Sequence, residues 1–159
     1  MCRRSTHCGC LIRFRQHVAR AWTASTDVDG VLRVPLKFSV ILNKDTRVSA
    51  TKEFRHSYWL KAHDAATLRA VSLGIRHYQG EDKDPRWMDI ESENFPVLCT
   101  INADISEMSK TLKPQHGQSG IYYSLKFDVV LSFGLTELKA QIAWTENGVE
   151  KRGPAQLVY

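Results

Sequence analysis

His7, Cys8, Cys10 and His17 are residue types that ligate zinc tetrahedrally, but their spacing matches no common finger and a second ligand pair is missing. Asp82, Asp84, Asp89, Glu91 and Glu93 gather carboxylates as a calcium loop would. Lys83 and Arg86 interleave with them, however, and no regular carboxylate spacing around a glycine turn occurs, so a solvated, mixed-charge loop is expected. His77 falls in phase with Leu73 and Ile75, and the spacing offers it neither a nucleophile nor a carboxylate. It reads as a core or inter-sheet histidine making one hydrogen bond. Cys99 shares the apolar phase of Val97, Ile101 and Ala103, which suits a small buried hydrophobe better than a reactive thiol. None of the nine glycines forms a phosphate-cradling loop. The residues therefore nominate no catalytic set, metal or cofactor.

Charge narrows the partners. The net charge of +5 comes from Arg3, Arg4, Arg13, Arg15 and Arg20, in a stretch before residue 23 without Asp or Glu. From residue 23 onward, 17 basic residues meet 17 acidic ones. Trp59, Trp87, Trp144 and the pair Tyr122-Tyr123 could stack on single-stranded nucleic acid, but that use needs a basic groove and the body is neutral, so packing roles are favoured and nucleic acid is not an expected partner of the body. No apolar run approaches the ~20 residues of a transmembrane helix. Cys99 is the body's one cysteine, so no disulfide framework is expected and a reducing, cytoplasmic compartment is the default. The arginine-rich N-terminus also fits a mitochondrial targeting segment.

The elements that would position these residues are strands. From Ile121 to Phe133 every second residue is apolar: Ile121, Tyr123, Leu125, Phe127, Val129, Leu131 and Phe133. A period of two is a strand with one buried face. Burying those seven side chains supplies roughly 10–20 kcal/mol and requires a second layer to cover them. Leu138, Ala140, Ile142 and Trp144 repeat the pattern up to the turn signal Asn147-Gly148. Further strands are expected at Phe38–Leu42, Val71–His77 and Phe95–Asp104, with a weaker one at Lys52–Trp59 and a broken one over 149–159, interrupted by Gly153-Pro154. Asp64 is placed to N-cap a short helical insertion within residues 60–70. The polar stretch 106–120 reads as a loop. The sum is an all-β fold: a two-layer antiparallel β-sandwich of about seven short strands over residues 28–159, preceded by a basic N-terminal tail, 1–27, disordered or forming a short helix over 11–22.

Three segments carry a resemblance. Phe38-Ser-Val-Ile-Leu-Asn-Lys-Asp-Thr46, Leu73-Gly-Ile-Arg-His-Tyr-Gln-Gly-Glu81, and the stretch from Phe127-Asp128 through Trp144 to Gly148-Val-Glu-Lys stand in the order of the substrate-binding β-sandwich of the DnaK-type, seventy-kilodalton heat-shock chaperones. The closing hairpin, Leu131-Ser-Phe-Gly-Leu-Thr-Glu-Leu-Lys-Ala140 followed by Glu150-Lys-Arg-Gly-Pro-Ala155, is most similar to the divergent fungal-type relatives. The resemblance implies a non-catalytic chaperone module that captures an extended apolar stretch of unfolded polypeptide through main-chain hydrogen bonds and an apolar pocket. It places Leu73 and Ile75 in the pocket lining, Phe54 on the preceding strand, and Tyr58 and Trp59 near the arching loop. The family's actin-like ATPase domain, its Thr-Pro-Leu-type first strand and its helical lid have no counterpart in these 159 residues. The chain thus reads as lacking its own nucleotide switch, or as a fragment of a longer chaperone-like protein with an ATPase domain or co-chaperone as partner. The competing reading is a structural or interaction module whose basic tail contacts nucleic acid or acidic membrane.

Overall fold

The computed structural model describes residues 7–11, 25–33, 37–43, 45–49, 51–134 and 137–159, the first of these by backbone alone. Strand makes up 56% of these residues and helix 8%. In chain order the strands are β1 (His7–Leu11), β2 (Ser25–Thr26), β3 (Leu32–Arg33), β4 (Ser39–Leu42), β5 (Glu53–Ala62), β6 (Ala70–Tyr78), β7 (Val97–Asp104), β8 (Gln115–Gly117), β9 (Gly120–Phe133), β10 (Leu138–Glu146), β11 (Val149–Pro154) and β12 (Gln156–Val158), with one short helix, α1 (Ser106–Ser109). The first sheet runs β12-β7-β6-β1-β4 and the second β11-β10-β9-β5, with β8 beside β9 and β2-β3 forming a separate hairpin. The described pairings are antiparallel.

Alternation decides what the two sheets bury. Leu125, Phe127, Val129 and Leu131 of β9 and Ala140 and Ile142 of β10 meet Val71, Leu73 and Ile75 of β6 and Cys99, Ile101 and Ala103 of β7 in one core. Phe127, Ile75, Ile101, Leu131 and Ile142 are at most 2% exposed, and each contributes about 1.5–3 kcal/mol of apolar burial. Cys99 is 1% exposed in that core, and burial pushes its thiol up, as a small hydrophobe requires.

The turns follow their residues. Asn147 and Gly148 both have positive φ, 53° and 78°, the geometry of a two-residue hairpin turn that matches strand twist. Gly148→Ala is expected to cost about 1–2 kcal/mol, since an L side chain pays that much in the left-handed region; a lower urea midpoint with unchanged slope checks it. Asp64 caps a single turn, Ala65–Thr67, by accepting the Ala66 N–H at 2.9 Å. Residues 60–70 thus end β5 and carry the chain to β6, with Leu68 in the core. At Ala155 the chain leaves β11 in one sheet and enters β12 in the other, which is the structural meaning of the Gly153-Pro154 interruption.

Three stretches differ from expectation, the shortest being Ser25–Thr26, inside the stretch 1–27 read as a tail and paired as a strand with Leu32–Arg33. His7–Leu11, within the stretch read as a tail, is a strand between β4 and β6, with Cys10 opposite Ile75 and Gly9 opposite Val40. A strand paired on both sides is held by its backbone and needs no apolar alternation to declare it. Beyond Leu11, the helix expected over 11–22 lies outside the described residues. Residues 106–120, read as a loop, contain α1 and β8.

Candidate functional site

β5 brings together most of the residues that sequence nominated. It pairs with β9 over its whole length, from Glu53 opposite Ser132 to Ala62 opposite Tyr123, and among the described residues no strand lies on its other side. Phe54 and Tyr58 point inward. Phe54 meets the edge of Phe133 at 5.7 Å between centroids, and Tyr58 lies 4.8 Å from the His56 ring and 6.2 Å from Phe127. Trp59 has the opposite phase, is 39% exposed, and carries the Lys126 ammonium 5.4 Å from its ring centroid.

Leu73 and Ile75, on β6, are 2% and 0% exposed and join Phe54 and Tyr58 in the inter-sheet core. The expected open, apolar lining is therefore closed at four of its five positions. The physical reason is the pleat: the phase that makes Leu73 and Ile75 apolar turns them toward β9 and β10, which cover them. Trp59 alone of the five offers a ring to solvent.

Several arrangements escaped the sequence because distant segments build them. The Ser39 hydroxyl and His56 Nε2 lie 2.7 Å apart, joining β4 of one sheet to β5 of the other. Burial pushes the His56 pKa down, more than the Asp128 charge raises it, so the neutral ring can accept the hydroxyl proton. This is a nucleophile–base contact, but no described carboxylate hydrogen-bonds the ring to orient it, and its evident work is to pin two sheet edges together.

A second cluster centres on Asp29, 7% exposed. Arg33 donates to both of its oxygens, at 2.6 and 2.5 Å, Lys61 pairs with it from β5, and the Val31 N–H donates at 3.0 Å. The Arg33 hydrogen bonds, with help from Lys61 and against the cost of burial, hold the Asp29 carboxyl far below the usual carboxylate range. Gly30, at φ 83°, and Gly117 admit close backbone approach here, for a Cβ on Gly117 would stand 2.6 Å from the Asp29 carbonyl oxygen. The β2-β3 hairpin is thereby clasped to β5 and to the β8-β9 turn.

On the outer face of the second sheet, Arg55 donates to Glu150 at 2.6 Å and Arg152 to Glu53 at 2.6 Å and to Glu150 at 2.8 Å. The hydrogen bonds from Arg55, then Arg152, pull Glu150 down to about 2. Val130 and Ala143 lie on this nominally solvated face yet are 2% and 1% exposed, and each stands directly cross-strand from an arginine of the network, Arg55 and Arg152.

Among the described residues no group of three or more His, Cys, Asp or Glu could hold a metal, and the side chains of His7, Cys8, Cys10 and His17 lie outside the described residues. His77, expected to make one hydrogen bond, has its Nδ1 enclosed and without a partner among the described residues. No helix among the described residues is long and apolar enough to cross a membrane. Comparison with protein-family models, with curated proteins and with solved structures gives no match.

Proposed function

We propose that this chain is a non-catalytic polypeptide-binding module, of the chaperone substrate-binding type, that holds an extended apolar segment of another polypeptide alongside β5. The observation that carries the reading is the edge of β5 itself: ten residues paired on one side, with Trp59 exposed on the strand and the aromatic rings of Phe54 and Tyr58 behind it. An edge strand presents a row of N–H and C=O groups to an incoming strand, and an adjacent aromatic ring adds side-chain selection. Because Leu73, Ile75, Phe54 and Tyr58 are packed in the core, the peptide's contacts in this reading are main-chain hydrogen bonds and Trp59, and no enclosed pocket contributes.

Such an open strand edge binds weakly and exchanges fast, with Kd of about micromolar or above. Fluorescence anisotropy of a labelled, leucine-rich heptapeptide is expected to saturate in that range. Trp59→Ala is expected to weaken binding about 5–10-fold while leaving the circular dichroism spectrum intact, because Trp59 is a surface residue. No saturation at high micromolar protein, or an unchanged Kd in the Trp59 variant, would remove the reading.

A further inference from the structure

The connection between β9 and β10 determines which backbone groups of β5 face outward. Gly134 N–H donates to Glu137 C=O at 2.8 Å. In the register that sets Phe133 opposite Leu138 and Ser132 opposite Lys139, the even-numbered residues of β9 therefore bond toward β10. The odd-numbered ones, Tyr123 to Leu131, bond toward β5, where they stand opposite Ala62, Leu60, Tyr58, His56 and Phe54. That leaves Glu53, Arg55, Ser57, Trp59 and Lys61 with N–H and C=O directed to the open side of the strand. Among the described residues no backbone hydrogen bond beyond the strand ladders engages them. Ser39 of β4 reaches β5 through the side chain of His56, an even-numbered position.

The order of those five residues is self-complementary. Laid antiparallel on a copy of itself about Ser57, the strand sets Glu53 opposite Lys61, Arg55 opposite Trp59, and Ser57 opposite Ser57. At each position both residues aim their backbone groups at each other, which gives about ten main-chain hydrogen bonds in all. Opposite charges face each other across the strands, and a guanidinium faces an indole, both favourable cross-strand pairs. Centring the pairing on Tyr58 would instead set Arg55 against Lys61, and centring it on His56 would set Glu53 against Trp59; each leaves one end residue of the strand without a counterpart. On the inner layer the Ser57-centred register places Phe54 opposite Leu60 and His56 opposite Tyr58, so the two cores run on into each other. Arg152 on Glu53, Glu150 on Arg55 and Asp29 on Lys61 already hold the outer side chains in place, so few need ordering on contact. The edge itself is ten residues long, without proline and in unbroken register with β9, whereas natural sheets blunt an edge that must stay alone.

We propose that the partner this edge fits is a second copy of the chain: two molecules join β5 to β5 about a two-fold axis at Ser57, and the sheet β11-β10-β9-β5 continues into the same four strands of the other copy in reverse order. The contact is isologous, each copy presenting the same patch. It is also small, one pair of strands, so the association is reversible and in the micromolar range. The inference rests on the peptide reading only in taking the edge of β5 to be open. The second copy then occupies the edge at rest, and an extended peptide has to displace it.

Sedimentation velocity of the full chain over about 1–500 μM, the range of a small interface, is expected to show a mass rising toward twice the chain's 18.1 kDa. Ser57→Cys puts two thiols on the axis, where directly opposed Cα atoms stand about 5.5 Å apart, within the reach of a disulfide. In oxidised glutathione it is expected to crosslink about tenfold faster than Arg55→Cys, whose two copies would lie more than about 13 Å apart along the strands. The native chain under the same oxidant controls for its own cysteines, and the disulfide-linked peptide identifies the bond. Ser57→Pro removes the central outward N–H while the β5–β9 ladder keeps its bonds, and is expected to stay monomeric with a native circular dichroism spectrum. A native chain that remains a monomer throughout, equal crosslinking at positions 55 and 57, or a folded Ser57→Pro variant that still dimerises would overturn the proposal and leave the peptide site standing. A dimer with the Ser57 crosslink that no leucine-rich heptapeptide dissociates would support it and remove the peptide reading alone.

Discussion

Ile75→Asp is expected to abolish cooperative folding, with loss of near-ultraviolet circular dichroism and of dispersed amide signals at 25 °C. Ile75 is fully buried, paired opposite Cys99 in β7, with β9 and β10 packed over its face. The change removes about 2–5 kcal/mol of burial and packing, and adds several kcal/mol for a carboxylate enclosed without a partner. That total is comparable to the 5–15 kcal/mol by which a domain is stable. Ile75→Val, which keeps shape and polarity, is expected to cost only about 0.5–1.5 kcal/mol. If the Asp variant instead retained a native spectrum and lost only peptide binding, Ile75 would be lining an open channel and the inter-sheet placement would be wrong. The pair of variants thus separates core from pocket at a position where alternation alone allows both.

Asp29→Ala is expected to destabilise the fold by about 2–3 kcal/mol in chemical denaturation. It removes the carboxylate that pairs with Lys61, leaves Arg33 with Asp27 alone at 2.9 Å, the two cations' side chains being 17% and 12% exposed, and frees the Val31 N–H. Removing one partner of a fully buried pair costs about 3–5 kcal/mol, and the residual exposure of the two cations lowers that. The same contact carries a pH signature. The Asp29 pKa is depressed in the folded state, so its contribution is fully present above the unfolded value, about 3.9, and fades as pH falls below it toward the depressed one. Native stability is therefore expected to drop between about pH 5 and pH 2, with part of that drop missing in Asp29→Ala. A pH dependence of the denaturation midpoint identical in both proteins would show that the clasp carries no charge-linked stability.

How much of this was legible in the sequence depends on how local each feature is. β9 and β10 announce themselves because their inward side chains, from Leu125 to Leu131 and from Ala140 to Trp144, are apolar, and the Asn-Gly turn after β10 marks its end. β5 gives a weaker signal because its inward phase includes His56, held by Ser39 from another strand, while its outward phase includes Trp59. β1 gave none, for its place between β4 and β6 is fixed by main-chain pairing and not by apolar alternation. Leu73 and Ile75 were correctly read as one apolar phase, but which layer would cover that phase is a long-range fact. The Asp29–Lys61 arm of the clasp and the ion pairs from Arg55 to Glu150 and from Arg152 to Glu53 join residues tens of positions apart, beyond the reach of any spacing rule. The acidic loop was visible as charge; the aromatic cluster against it was not, because Phe38, Tyr78 and Phe95 come from three separate segments.

The position of β1 bears on the order in which the molecule can assemble. β9, β10 and β11 form a meander joined by short connections, and local contacts of that kind close fastest. β1, by contrast, cannot be seated until β6 exists, about seventy residues later in the chain, and closing so long a loop costs entropy before any contact repays it. The earliest of the described strands is thus among the last to be fully placed, and until then β6 presents a bare edge that any extended chain can fill.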